Sequence, residues 1–249
     1  MTTHLARDLA RALDPAEFAV DCGIEPDPWQ TDVLRSDAPR ILLNCSRQVG
    51  KSTCAGLLAL HTAIYAAPAL VLLVSPSQRQ STELFETVKK LWQRLPGAPE
   101  ADQESLTRVR FRNESRIISL PGSESTTRGY PAVSMLILDE AARVPDALLA
   151  AVRPSLATTN GRLVALSTPA GKRGWFHQAW THGAEWLRVQ ILAQDCRRIS
   201  GEFLEAERRE LGDLMYRQEY CCEFVDDGES AFGGALIEAA LKPGITTYF

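Results

Sequence analysis

Short runs of consecutive apolar residues recur along the chain and predict its strands. Four such runs lie at residues 41–43, 69–74, 134–138 and 163–166. Continuous apolar runs, unlike alternating ones, are typical of parallel strands that helices cover on both faces. The pattern therefore predicts an α/β fold with a central, mostly parallel sheet flanked by helices.

The segments between these runs carry apolar residues at intervals of three and four, which predicts helices. This spacing is present at residues 4–20, after residue 53, at 84–92, at 146–152, at 175–180 and from Ser200 onward. Two stretches of strand-forming residues, 109–112 and 116–120, flank a polar turn and predict a β-hairpin. Residues 97–105 are acidic and are expected to form a loop, and residues 187–192 a further strand.

Polar side chains follow each of the four apolar runs, where the predicted strand ends. These ends read Asn44 to Lys51, Ser75-Pro76-Ser77-Gln78, Asp139-Glu140 and Ser167-Thr168-Pro169. The carboxyl ends of parallel strands meet at one edge of a sheet, and ligands of open α/β sheets bind there. The sequence therefore predicts one polar site built from all four segments.

Residues 41–53, ILLNCSRQVGKST, have the strand, loop and helix start that a phosphate-binding loop requires. In such a loop, backbone N–H groups surround the phosphates and the helix N-terminus adds partial positive charge. Lys51 is expected to reach the β and γ phosphates, and the Ser52 hydroxyl to ligate Mg²⁺. The predicted nucleotide-binding residues of the loop are Ser46, Arg47, Gln48, Val49, Gly50, Lys51, Ser52 and Thr53.

This loop departs from the usual pattern at one position, because Cys45 replaces the first glycine of G-x-x-x-x-G-K-[ST]. Gly-Lys-Ser by itself is a short signal. A glycine-containing helix start with a solvated lysine explains the triplet equally well. The decision between the two interpretations depends on the rest of the chain.

Asp139 and Glu140 follow four apolar residues, which is the Walker B pattern. Asp139 is expected to hold Mg²⁺ through water, and Glu140 to orient and deprotonate the attacking water. The alternative is a solvated strand end. Two carboxylates at the end of a buried strand are costly, however, unless they serve a metal or a basic partner.

Composition excludes several classes of function. The chain has 249 residues and a net charge of −4, so the broad basic surface of a nucleic-acid-binding domain is absent. DNA contact would need a local patch or a ring of subunits. No apolar run is long enough to span a membrane, and the N-terminus lacks the apolar region of a signal peptide. The six cysteines lack the paired spacing of zinc sites, which favours reduced thiols in a cytosolic protein.

Together the motifs resemble the ATPase domain of the large subunit of tailed-bacteriophage terminases, the viral DNA-packaging motors. The resemblance rests on the segments CSRQVGKST, LILDEAA and LVALSTPAG, and on the hairpin and loop that end in Thr127-Arg128-Gly129. It covers about residues 26–230, and the first glycine of the loop is often replaced in that family. The resemblance implies a P-loop NTPase of the additional-strand, RecA-like type with a small C-terminal lid subdomain.

The resemblance also implies roles for residues outside the two core motifs. Terminases have an adenine-contacting aromatic-Gln element before the loop, and Trp29 and Gln30 match it. Packing of the tryptophan against the core is the alternative. Arg47 matches an arginine inside the loop, where a guanidinium can bridge phosphate and carboxylate. Arg128 matches an arginine that acts on a neighbouring subunit in some relatives, with a surface cation or a DNA contact as alternatives.

The implied activity is an ATP- and Mg²⁺-dependent motor that drives double-stranded viral DNA into a procapsid. Ser167, Thr168 and Pro169 match the coupling motif of the family. The implied partners are double-stranded DNA, the portal protein, the small terminase subunit and further copies of the chain in a ring, in the cytoplasm of the bacterial host. A helicase-like remodelling ATPase and a nucleotide-dependent assembly module without turnover are the alternatives.

Three parts of the chain are expected from the same resemblance. Residues 1–189 would form the ATPase core with an N-terminal helical extension, residues 190–228 a lid subdomain, and residues 229–249 a linker towards a nuclease domain. The boundary before the linker is acidic and turn-rich. The metal-binding acids of that nuclease have no counterpart in this sequence, so DNA cleavage is not assigned to it.

Overall fold

The computed structural model describes residues 2–122 and 129–225, with side chains from residue 5 onward. Arg128 and the proposed linker at 229–249 lie outside these residues. The strands are β1 Arg40–Cys45, β2 Leu70–Ser75, β3 Ala101–Glu104, β4 Arg108–Phe111, β5 Arg116–Pro121, β6 Met135–Asp139, β7 Arg162–Ser167 and β8 Leu187–Ile191. The helices are α1 Thr2–Leu13, α2 Pro15–Asp21, α3 Pro28–Arg35, α4 Lys51–Tyr65, α5 Gln78–Arg94, α6 Asp146–Val152, α7 Gly174–His182 and α8 Gly201–Glu219. None of these helices is long and apolar enough to cross a membrane.

The eight strands of the described residues form one sheet in the order β3-β4-β5-β2-β6-β7-β1-β8. Neighbouring strands run parallel from β5 to β8 in this order, while β3 and β4 are antiparallel at one edge. The predicted α/β fold with a mostly parallel central sheet is therefore confirmed. Since β8 pairs with β1, the boundary proposed at residue 190 falls inside an edge strand, and the division into core and lid stays a prediction.

The core lies in two layers, one on each face of the sheet. Ile41 and Leu43 of β1 pack on the side of α4, where Leu57 is fully buried. The residue between them, Leu42, packs on the opposite side with Phe176 of α7. This alternation explains why the strand sequence is continuously apolar, since both faces are covered. Each leucine removed from water contributes about 2 kcal/mol to stability.

Three predicted elements differ in detail from the structure. The hairpin β4–β5 is present, but β5 also pairs in parallel with β2 and so joins the main sheet. Residues 97–105, expected to be a loop, contain β3. The helix expected over residues 4–20 is two helices, because Asp14 caps α2 with its side chain and Pro15 begins it. Proline lacks the N–H that a continuous helix would need at that position.

The last helix, α8, is broken at Gly212, whose φ of 76° and ψ of 164° are non-helical. Its two halves pack on each other, since the Tyr220 hydroxyl donates to Glu207 Oε2 at 2.6 Å. The guanidinium of Arg208 lies 5.7 Å from the centre of the Tyr216 ring. Residues 201–220 therefore form a helical hairpin, called the α8 hairpin below.

Candidate nucleotide-binding and hydrolysis site

The predicted phosphate-binding loop joins β1 to α4, as the sequence motif requires. Gly50, just before α4, has a φ of 93°, and a Cβ there would lie 2.8 Å from Gln30 Nε2. The backbone angle favours glycine, and a Cβ would displace the Gln30 amide from its contact with the loop. Gln48 also has a positive φ, of 58°. The loop is thus tightly folded, with α4 beginning directly at Lys51 and pointing its N-terminus at the phosphate-binding space.

Lys51 is largely buried even though its side chain ends in a charge. Its Nζ lies 3.4 Å from the carbonyl oxygen of Ser46, so the side chain reaches back across its own loop. The ammonium thus has one weak backbone acceptor, and its charge also interacts with that of Asp139. Its position suits a phosphate ligand, as the motif predicts.

Side chains from distant parts of the sequence hold the loop in place. The Ser46 hydroxyl donates to the carbonyl of Glu219 at 3.0 Å. Arg198 Nη2 donates to the carbonyl of Val49 at 3.1 Å and also pairs with Asp27 at 2.7 Å. Gln30, Arg198 and Glu219 thus provide hydrogen-bond partners for polar groups of the loop, and none of the three belongs to the loop motif. The loop therefore depends on residues that the motif does not contain.

Gln30 and Trp29 have different surroundings. The buried Gln30 side chain uses both ends of its amide: Nε2 donates to Gly50 O at 3.1 Å, and Oε1 accepts from Asp27 N at 2.9 Å. Trp29 is half-buried and packs against the main core. The Gln30 side chain thus contacts the backbone of the loop. The expected contact of Trp29 and Gln30 with adenine stays a prediction.

Asp139 and Glu140 lie at the carboxyl end of β6, on the same edge of the sheet as the loop. Asp139 is 8% exposed, and its Oδ1 accepts from the Glu140 backbone N–H at 2.9 Å. Burial, followed by the charge of Glu140, raises the pKa of Asp139 to about 6, while Lys51 opposes the shift. Glu140 has a left-handed backbone, with φ 50° and ψ 42°. That conformation is uncommon outside glycine and turns the chain sharply after Asp139.

Ser167 is the last residue of β7, and Thr168 and Pro169 follow it. In the sheet, β7 lies between β1 and β6. Ser167 is the register partner of Asn44 on β1, and all three coupling residues are buried. The Thr168 hydroxyl lies 3.5 Å from Arg143 Nη1. The structure therefore brings the predicted coupling residues between the two motif strands.

Two charged residues that sequence reasoning missed also lie at this edge. Arg143 Nη1 donates to Glu140 Oε2 at 2.7 Å. Glu219, the last residue of α8, accepts from Arg47 Nε at 2.5 Å and has a side chain only 6% exposed. The spacing of Glu140 and Arg143, three residues apart, was a usable signal. No local pattern could have connected Glu219 with Arg47, because 172 residues separate them.

A cavity of about 400 Å³ adjoins the loop at Arg47 and Gln48. Its other walls come from Arg198 and the α8 hairpin, including Phe203 and Tyr220. A larger cavity, of about 850 Å³, lies near the amino ends of β1 and β7, and none of the predicted site residues line it. The polar edge, rather than this second cavity, is therefore the candidate site.

The donor set suits Mg²⁺ only in combination with a phosphate ligand. Asp139 and Ser52 are the predicted protein ligands, and the described residues contain no group of three His, Cys, Asp or Glu able to hold a metal. Mg²⁺ commonly binds with one or two protein ligands, substrate phosphates and waters. Asp139 fits this role, because a carboxylate that burial makes costly to ionise gains most from a nearby cation.

The fold and the site together define a P-loop NTPase of the additional-strand, RecA-like type. Its features are a strand–loop–helix with Gly50-Lys51-Ser52 and an acidic pair on a strand that β7 separates from the loop strand. The family described as terminase large subunit, T4likevirus-type, N-terminal, matches residues 42–239. The chain belongs to this family.

Individual relatives agree with the family match. The terminase large subunit of Thermus virus P23-45 is 28% identical over 251 residues, covering 85% of this chain and 51% of that protein. The large terminase ATPase domain of Thermus phage P74-26 has a TM-score of 0.72 at 23% identity, covering 84% of this chain and 98% of that one. The large terminase of a thermophilic bacteriophage, solved in complex with ADP, has a TM-score of 0.64 at 13% identity, covering 87% of this chain and 52% of that one. The chain thus spans about half the length of the curated relatives it matches.

Proposed function

We propose that this chain binds and hydrolyses ATP. The observation that carries the proposal is the shared edge of the sheet, where Asp139 and Glu140 end β6 and the loop with Lys51 follows β1. A phosphate-binding loop alone supports nucleotide binding. The Glu140 carboxylate at the same edge adds a group able to take a proton from water.

Each residue has a defined task in this reaction. The backbone N–H groups of the loop and the Lys51 ammonium bind the phosphates and stabilise the charge that develops during transfer. Glu140 orients the attacking water and accepts its proton. Asp139 and Ser52 are the residues that would hold Mg²⁺, which when bound neutralises phosphate charge.

We further propose that hydrolysis drives double-stranded viral DNA into a procapsid. Membership of the terminase family supports this larger role. The partners proposed on that basis are DNA, a portal protein, a small terminase subunit and further copies of the chain in a ring, in the cytoplasm of a bacterial host. With a net charge of −4, the chain offers no general attraction for DNA, which favours contact through a local patch of an assembled ring.

Substitution of Glu140 tests the proposed reaction. Glu140→Gln keeps the size and the hydrogen-bonding capacity of the side chain but removes the proton acceptor. We expect ATP turnover to fall by about 100-fold or more, with nucleotide affinity little changed. Turnover is measured as phosphate release at high protein concentration, and affinity by calorimetry.

Either of two results would contradict the proposal. Hydrolysis by Glu140→Gln at the parent rate would show that another group is the general base. ATP binding by the parent without any turnover would indicate a nucleotide-dependent assembly module instead.

A further inference from the structure

Four alternating charges connect the phosphate-binding loop with the proposed general base. Arg47 Nε lies 2.5 Å from Glu219 Oε2, and Glu219 Oε1 lies 3.7 Å from Arg143 Nη2. Arg143 Nη1 in turn lies 2.7 Å from Glu140 Oε2. The order is cation, anion, cation, anion. Neither Glu219 nor Arg143 belongs to a sequence motif of the site.

Glu219 is the most enclosed member of this chain of charges. Its side chain is 6% exposed, whereas that of Arg47 is 61% exposed. A buried carboxylate is strongly destabilising unless cations or donors compensate it. Gln218 Nε2 donates to Glu219 Oε1 at 3.3 Å, and Arg47 and Arg143 are the cations that face this carboxylate among the described residues. When one arginine turns away, the other is the cation that remains to compensate the buried charge.

Arg143 is shared among three acceptors. It donates to Glu140 at 2.7 Å, lies 3.5 Å from the Thr168 hydroxyl, and is 3.7 Å from Glu219. In this arrangement a carboxylate oxygen of Glu140 is occupied by an arginine. A general base must accept a proton from water, and a cation paired with Glu140 Oε2 makes the whole carboxylate a weaker proton acceptor.

We propose that Glu219 is a positioning residue that couples phosphate binding at Arg47 to the release of Glu140 from Arg143. This inference rests on the proposed ATPase function. The γ-phosphate of ATP is a stronger acceptor for the Arg47 guanidinium than a single carboxylate is. Once Arg47 turns to the phosphate, Glu219 retains only Arg143 as a cation.

The distances make the second step short. The Arg143–Glu219 gap of 3.7 Å exceeds a normal hydrogen bond by less than 1 Å. A rotamer change of Arg143 closes it and frees the Glu140 carboxylate for water. Until Arg47 turns to a γ-phosphate, Glu140 stays paired with Arg143.

The test uses the whole chain with Glu219→Gln and a matched control, Glu223→Gln. Glu223 lies four residues further on, and its side chain, which is 44% exposed, pairs with Arg217 at 2.5 Å. Thermal unfolding of both variants is recorded first. Two readouts follow: single-turnover ATP hydrolysis with protein in excess, and the affinities for ADP and for a non-hydrolysable triphosphate analogue.

Glu219→Gln is expected to lower single-turnover hydrolysis by about tenfold, because nothing draws Arg143 away from Glu140. The same variant is expected to bind the triphosphate analogue at least about threefold more tightly relative to ADP, because Glu219 no longer competes for Arg47. Glu223→Gln is expected to match the parent in both readouts.

A double variant shows whether Glu219 acts through Arg143. Removing the guanidinium with Arg143→Ala frees Glu140 directly. Glu219→Gln combined with Arg143→Ala is therefore expected to hydrolyse ATP within about threefold of Arg143→Ala alone. Arg143→Ala alone is expected to be at least as fast as the parent.

Several results would overturn the inference. One is that Glu219→Gln behaves like Glu223→Gln in both readouts. Another is that the double variant is as slow as Glu219→Gln. If Glu219→Gln unfolds, a tenfold loss of hydrolysis in Arg143→Ala alone is equally decisive. If the parent chain does not hydrolyse ATP, the proposed function fails, while the ratio of triphosphate to ADP affinity still tests the competition for Arg47.

Discussion

Asp139 is an acidic residue in buried surroundings. Its carboxyl group is buried beside Glu140, and its pKa is raised to about 6. A carboxyl group with a raised pKa in the folded state binds its proton more tightly there than in the unfolded chain. Its contribution to stability is therefore full below about pH 4 and is lost as the pH rises through 6. At neutral pH the nucleotide site is thus kept at the expense of stability.

Asp139→Asn is expected to stabilise the nucleotide-free protein at pH 8. The amide removes the cost of the buried charge but still accepts from the Glu140 N–H, so the free energy of unfolding is expected to rise by about 2 kcal/mol. The gain is expected to vanish at pH 4, where the parent carboxyl is protonated. Urea unfolding without Mg²⁺ at both pH values measures it.

The exposed Asp32 provides the control for this substitution. Asp32→Asn is expected to change the free energy of unfolding at pH 8 by no more than about 0.5 kcal/mol. Equal stability of Asp139→Asn and the parent at pH 8 would mean that the charge of Asp139 is already compensated in the folded protein.

At the scale of elements, the α8 hairpin depends on one glycine. The backbone angles of Gly212, φ 76° and ψ 164°, fall in a region that is essentially restricted to glycine. No atom lies within 4 Å of a Cβ built there, so the constraint comes from the backbone and not from crowding.

Gly212→Ala is therefore expected to lower the free energy of unfolding by about 1–3 kcal/mol. Gly201, in the first turn of α8, is the matched control, because it also has space for a Cβ but no positive φ. Gly201→Ala is expected to change stability by no more than about 0.5 kcal/mol. Equal effects of the two substitutions in urea unfolding would show that the bend does not require glycine.

The sequence predicted best those elements that are defined by neighbouring residues. The four core strands, the hairpin β4–β5 and the phosphate-binding loop were all recognisable because their signals lie within a few residues. The strand β3 was missed because its residues are polar and exposed, as an edge strand allows. Pairing with β4, not burial, makes it a strand.

The candidate site was predictable only in part, for the same physical reason. Lys51 and Asp139 belong to local motifs, so the sequence alone proposes them as site residues. The contacts of Arg198 with Val49 and of Glu219 with Arg47 join residues 149 and 172 positions apart. Such contacts arise from the folded topology, since β8 places the following residues beside β1. A single sequence contains no signal for them.

At the scale of the whole molecule, one predicted catalytic group is proposed to act on another copy of the chain. Arg128, which lies outside the described residues, is proposed to act on the ATP of a neighbouring subunit. A head-to-tail ring would place each Arg128 at the site of the next chain. Isolated chains are then expected to hydrolyse ATP slowly, with specific activity rising with concentration.

Mixing two inactive variants tests this arrangement. Arg128→Ala retains Glu140, and Glu140→Gln retains Arg128. In an equimolar mixture about a quarter of the interfaces combine both intact residues, so about a quarter of the parent rate is expected to return. Phosphate release is measured across mixing ratios, with each variant alone as the control. A rate that stays at the average of the two variants at every ratio would rule out action between subunits.

The α8 hairpin also has a mechanical consequence. Both ends of the hairpin contact the phosphate-binding loop. Arg198, just before the hairpin, donates to Val49 O, and Glu219, near its end, accepts from the Ser46 hydroxyl. Its tip, with Leu211 and Leu214, is exposed. At about 1.5 Å per residue, residues 201–211 place the tip about 16 Å from these supports. A tilt of about 10° at the base of the hairpin would therefore displace its tip by about 3 Å.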